Sequence, residues 1–150
     1  MSLITKIKDY DKKIMAFEKK VEDIPGATQD VDSICPLKHT FVDGAYVREI
    51  FMPKGVLITS KIHKIKHVYF VLKGKCSVLT DEGEQLIEAP HYGITEAGTK
   101  RALYIHEDTV WVTVHVTEHK NLKKIEKDII AKSFRAFNRF KKKQLTGGKP

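Results

Sequence analysis

An all-β domain with an amphipathic helix at each end is the fold that this 150-residue sequence predicts. Three observations lead there. Between Thr40 and Thr117, short runs of β-branched and aromatic residues alternate with turn signals, as in a sandwich or barrel. On either side the apolar spacing changes to every three or four residues, the helical period. The length suits a single domain with one core.

The first element is a helix over residues 3–24. Leu3, Ile7, Tyr10, Ile14, Phe17, Val21 and Ile24 follow a 4-3-4-3-4-3 spacing, a heptad seam, and Pro25-Gly26 ends it. Such a seam can pair with a second copy or lie on the protein's own sheet. Self-packing is the slightly favoured expectation, because about three heptads is the minimum for a coiled coil.

Strands are expected over 40–42, 45–51, 56–62, 67–72, 75–80, 84–88, 101–105 and 109–117. Asp43-Gly44, Pro53-Lys54-Gly55, Lys73-Gly74, Asp81-Glu82-Gly83, Ala89-Pro90 and Ala97-Gly98 separate them. In the last strand, Val110, Val112, Val114 and Val116 face one way and Trp111, Thr113, His115 and Thr117 the other. A second helix is expected over 121–143, with Leu122, Ile125, Ile129, Phe137 and Phe140 on one side and lysines and arginines opposite. "LTGGKP" ends it. The organisation is therefore an N-terminal helix and linker (1–34), a β-body (35–117) and a basic C-terminal helix and tail (118–150).

Charge is distributed unevenly. Residues 1–117 hold 16 Lys plus Arg against 16 Asp plus Glu, while residues 118–150 hold 11 against 3 and supply the whole net charge of +8. Any attraction to nucleic acid or to an acidic partner thus belongs to the tail. No run reaches the roughly 18 to 20 apolar residues of a membrane helix. "MSLITKIKDYDKK" has no continuous apolar stretch of the secretory kind, so the expected address is cytoplasmic. Cys35 and Cys76 follow no CxxC spacing and read as free thiols.

The chemistry-bearing residues cluster in "GVLITSKIHKIKHVYFVLKG", residues 55–74. Gly55, Lys61, His63, His67 and Gly74 keep every spacing of a motif written Gly, five residues, His, one residue, His, three residues, Glu, six residues, Gly. Farther on, "EAGTKRALYI" sets Gly98 and Arg101 at the spacing of a second motif, where a last His is usual. These spacings resemble the cupin superfamily. With "GAYVREIFMPKG" and "AGTKRALYIHEDTVWVTVH", the resemblance narrows to the small cupin-like proteins of tailed bacteriophages, over roughly residues 35–117. It implies a single-domain jelly-roll β-barrel, with host cytoplasm or virion as location. Lys61 stands where the motif has its first His, His67 where it has Glu, and Arg101 where it has the final His.

Two pocket chemistries follow, and the residues leave both open. In one, His63, His67 and a third donor hold a divalent transition metal: Fe, Mn, Ni or Zn. His115 is the first candidate for the third position, ahead of Glu49 and His106. Lys61 and Arg101 oppose a cation there unless they turn away. In the other, Lys61, His63, His67 and Arg101 make a metal-free pocket for an anionic small molecule such as a carboxylate, phosphate or sugar nucleotide. Arg101 would donate bidentately, and Tyr69 and Trp111 would give stacking surface. His67 is then the candidate catalytic base, with Asp108 near in sequence to orient it. Against both stands a non-enzymatic interaction protein. In it the barrel is a scaffold, the heptad helix makes a homo-oligomer, and the basic helix grips nucleic acid, a virion component or a host protein.

Overall fold

The computed structural model describes residues 2–27 and 30–147. In chain order the elements are α1 (Leu3–Glu22), α2 (Val31–Ile34), β1 (Leu37–Val42), β2 (Ala45–Met52), β3 (Leu57–Thr59), β4 (Ile62–His63) and β5 (His67–Thr80). There follow β6 (Gly83–Glu88), β7 (His91–Thr95), β8 (Ala102–Val116), α3 (Leu122–Ile129), β9 (Ile130–Ala131) and α4 (Phe134–Leu145). The chain is mostly antiparallel β, flanked by helices, as its sequence implies.

Two long strands carry the architecture. β5 and β8 pair with each other along most of their length, and the main sheet runs β1-β2-β8-β5-β6, with β3 added to β8 and β7 to β5. Near Lys73–Cys76 the β5–β8 register shifts, an irregularity that bends a strand and increases its twist. Both halves then face one core. Ile50, Met52, Tyr69, Val71 and Trp111 meet Cys76, Val78, Leu103 and Ile105 there. Cys35 and Cys76 are buried free thiols, and burial pushes both thiols up.

The strands expected over 101–105 and 109–117 join into β8, and the one expected over 56–62 divides into β3 and β4. Three further features differ from the sequence-based expectation. "KG" at 73–74 does not end a strand, because the irregularity absorbs it and the ladder continues. The stretch His91–Thr95, for which no strand was expected, forms β7 on β5. Glycine at 93 is what allows this: a Cβ there would lie 2.6 Å from the Tyr69 hydroxyl. The third difference is the largest. Residues 121–143 are not one helix but α3, β9 and α4. The β-branched pair Ile129-Ile130 is a weak place for a helix, and Ser133 caps a new one by accepting a hydrogen bond from the Ala136 N–H at 3.0 Å. Ile130 and Ala131 pair instead with His63 and Ile62.

The helices lie on the β-body. In α1, Ser2 caps the first turn, Ile14 is buried, and the Tyr10 hydroxyl donates to the Lys100 carbonyl at 2.6 Å. Of the heptad seam, the Leu3 and Ile7 side chains lie outside what is described, and Ile24 is exposed. Ile125 and Ile129 of α3 pack against Tyr46. Phe137 of α4 sits against Gly98, at a positive φ of 82°, where a Cβ would come within 2.5 Å of its ring. The tail's apolar side is therefore used internally, and Lys123, Lys124, Lys127, Arg135, Arg139 and residues 141–143 remain exposed. The end of "LTGGKP", residues 148–150, lies outside the described residues. No described helix is long and apolar enough to cross a membrane.

Candidate metal centre and cavity

Cross-strand register builds the site. In β2 and β8, Tyr46 stands opposite His115, Arg48 opposite Thr113, and Ile50 opposite Trp111. β5 continues two of these rows, with Tyr69 opposite Thr113 and Val71 opposite Trp111. His67 opens β5 opposite Thr95 of β7. His63 arrives on β4, held by its pairing with Ile130 and by the Gly98 N–H, which donates to its carbonyl at 2.7 Å.

This places three imidazoles together. One donor atom from each of His63, His67 and His115 lies within 4.8 Å of the others. Ring centroids are 4.5 Å apart for His63–His67 and for His67–His115, and 6.0 Å for the stacked His63–His115 pair. Burial first, then the neighbouring histidines and arginines, pushes His63 down to about 3. Burial, His67 and Arg48 push His115 down to about 3 as well. Burial and Arg101 lower His67, and only its contact to the Ile65 carbonyl opposes them. All three rings are thus neutral at pH 7, the form that ligates a metal. Because a carbonyl only accepts, His67 Nδ1–H donates to Ile65 O at 3.1 Å, which leaves Nε2 with the free lone pair.

The triad borders a cavity of about 160 Å³. Its polar end has Arg48, Arg101, Thr95 and Thr113, and its apolar wall has Ile50, Met52, Leu103 and Trp111. Arg101 Nη1 donates to the Thr95 hydroxyl at 3.1 Å. The Arg101 guanidinium carbon sits 5.1 Å from the Tyr69 ring centroid, and Tyr69 is stacked on Trp111 at 4.6 Å. Lys61, by contrast, is exposed at the rim. One of the two cations on ligand positions has turned outward, and the other is held by neutral partners.

Three expectations are corrected. His106 is not the third donor: the donor atoms that converge belong to His63, His67 and His115, while His106 Nε2 lies 2.7 Å from Ser77 Oγ. Glu49 is opposite Lys38 in the ladder and alternates with Arg48, which faces the cavity. Asp108 does not orient His67, because its Oδ1 accepts from the Lys54 N–H at 2.9 Å. Sequence reading also missed several cavity residues. Arg48 was detectable, because alternation in "AYVREIF" puts it on the face of Tyr46 and Ile50. Glu126, Ile129 and Ile130 were not, since only the folded chain brings the tail to β4.

No protein-family model matches the chain, and no curated protein sequence matches it. Solved structures do. DMSP lyase DddQ from Ruegeria pomeroyi DSS-3 aligns with a TM-score of 0.50 at 11% identity, over 64% of this chain and 53% of that one. KdgF from Halomonas sp. gives 0.49 at 12% identity, over 57% and 82%. A cupin domain from Bordetella pertussis gives 0.44 at 15% identity, over 55% and 93%. At such identities the likeness is one of fold.

Proposed function

We propose that this chain is a cupin-type protein that binds a divalent transition metal through His63, His67 and His115 and a small molecule in the hollow beside them. Residues 35–117 form the working body in this reading, and the arms 1–34 and 118–150 cover it. The carrying observation is the convergence of three imidazole donors within 4.8 Å in surroundings that keep them neutral. That donor set fits Fe, Mn, Ni or Zn, with nothing to single out one of them. A bound ion would supply Lewis acidity. The chain's own part is to fix His67 by its Nδ1–H bond, to hold His63 through β9, and to wall the hollow with Ile50, Met52, Leu103 and Trp111. Where no metal is bound, His67 Nε2 is the free base of the pocket.

Titration of chelator-treated protein with Zn²⁺ and Ni²⁺ by calorimetry tests this. One equivalent taken up by the parent, and none by a variant carrying His63→Ala and His115→Ala, is the expected result. Absence of uptake by the parent removes the metal reading.

The tail favours a second role, because α4 has no buried residue and its lysines face outward. Contact with an acidic partner or with nucleic acid would then be non-specific and would weaken steeply with salt. Equal binding of a mixed-sequence duplex by the parent and by a variant with Lys141, Lys142 and Lys143 replaced by Ser would remove it.

A further inference from the structure

The cavity holds two cations, Arg48 and Arg101, that make no ion pair with the carboxylates that also line it, Asp32 and Glu126. Arg101 Nε is buried and has no hydrogen-bond partner, and the remaining contacts of that guanidinium are to the neutral Thr95 hydroxyl and the Tyr69 ring. Among the described residues, no carboxylate lies within 4.0 Å of either Arg101 or Arg48. Asp32 and Glu126 act on Arg48 only from farther away. Guanidinium stays charged in proteins, and a buried charge without a partner is costly.

Register shows where the missing anion belongs. Arg48 is opposite Thr113, and Thr113 is opposite Tyr69, the ring on which Arg101 lies. Two strand spacings, about 10 Å, separate Arg48 from Tyr69, and the short Thr113 stands between. The hollow over Thr113 therefore has a guanidinium on each side, the imidazoles at one end and an apolar wall at the other.

We propose that this hollow binds a small organic carboxylate, its two oxygens taken by Arg48 and Arg101 and its hydrocarbon part laid on Ile50, Leu103 and Trp111. The Thr113 hydroxyl stays on His115 Nε2 at 3.0 Å. The planar fork of each guanidinium matches a carboxylate, and the apolar wall would go unfilled by inorganic phosphate. The proposal rests on the reading above for the identity of the pocket. Its contacts are to guanidiniums rather than imidazoles, so it does not need the metal.

Calorimetry on the chelator-treated full chain tests it, with isovalerate, isoamyl alcohol and inorganic phosphate as probes. Isovalerate binds, and the other two bind at least tenfold more weakly. Arg48→Met and Arg101→Met each weaken isovalerate tenfold or more. Without ligand both variants melt no lower than the parent, since each removes an unmatched charge. Zn²⁺ uptake by the same variants keeps the parent stoichiometry, which separates this ligand from the metal. Phosphate binding as tight as isovalerate, isovalerate binding only after metal loading or not at all, or a lower melting temperature in both variants would overturn the proposal.

Discussion

Removing the Glu18 carboxylate tests how α1 is held. Lys100 Nζ lies 2.9 Å from Glu18 Oε1, with the lysine side chain 8% and the glutamate 27% exposed. The same oxygen accepts the Thr59 hydroxyl at 2.6 Å. Breaking a fully buried pair by deleting one partner costs about 3–5 kcal/mol. Water reaches the Glu18 side, so Glu18→Ala should cost about 2–3 kcal/mol, the lower part of that range. At roughly 2–4 °C per kcal/mol for a chain of this size, the melting temperature should fall by about 4–12 °C. A double variant, Glu18→Leu with Lys100→Met, leaves no stranded ammonium and should recover most of the loss. Burial raises the Glu18 carboxyl, but the Thr59 and Lys100 hydrogen bonds and the Lys100 charge outweigh it and hold it below the usual carboxylate range. The pair's contribution is thus full above that range and fades as pH falls through the lowered value. Urea unfolding at pH 7 is the assay. A single variant within 0.5 kcal/mol of the parent, taking about 1 kcal/mol as the ordinary cost of a mutation, or a double variant no better than the single one, refutes the reasoning.

Acid should destabilise the metal-free chain early. His63 and His115 sit at about 3 when folded, against an ordinary value near 6.5, so the unfolded state binds protons first. Stability then declines as pH drops below about 6.5 and levels off only near pH 3, which urea midpoints at several pH values will show. A midpoint unchanged between pH 7 and pH 5 contradicts this. Ile130→Pro removes the backbone donor that closes α3 on the Glu126 carbonyl and sets up the β4–β9 pair that holds His63, and Zn²⁺ affinity should drop tenfold or more; an unaltered affinity means that this junction does not position the triad. Gly98→Ala should cost about 1–3 kcal/mol from backbone strain at positive φ, plus the clash with Phe137. Phe137→Ala in the same chain should relieve only the clash, and full recovery would locate the whole cost in packing.

How much of this was legible beforehand depends on the range of the interaction. Alternation along "TVWVTVHVT" is a local property, and it correctly separated Trp111, Thr113 and His115 from the valine row. The spacing of His63 and His67 is equally local. Register is not: only pairing between β2, β5 and β8 shows that Arg48, Thr113 and Tyr69 form one row. The helix expected over 121–143 failed for the same reason. Its apolar period is real on both sides of the break, but the competing partner, the backbone of Ile62 and His63, lies more than sixty residues away in sequence. The outward turn of Lys61 and the inward turn of Arg101 also follow from tertiary packing.

X-ray absorption at the zinc edge, on chain loaded with one equivalent of Zn²⁺, addresses the central claim most directly. Three imidazole nitrogens at about 2.0–2.1 Å, lost together in the His63→Ala, His115→Ala variant, are the expected first shell. A shell made of oxygen alone, or one unchanged in that variant, would contradict a metal centre at the three histidines.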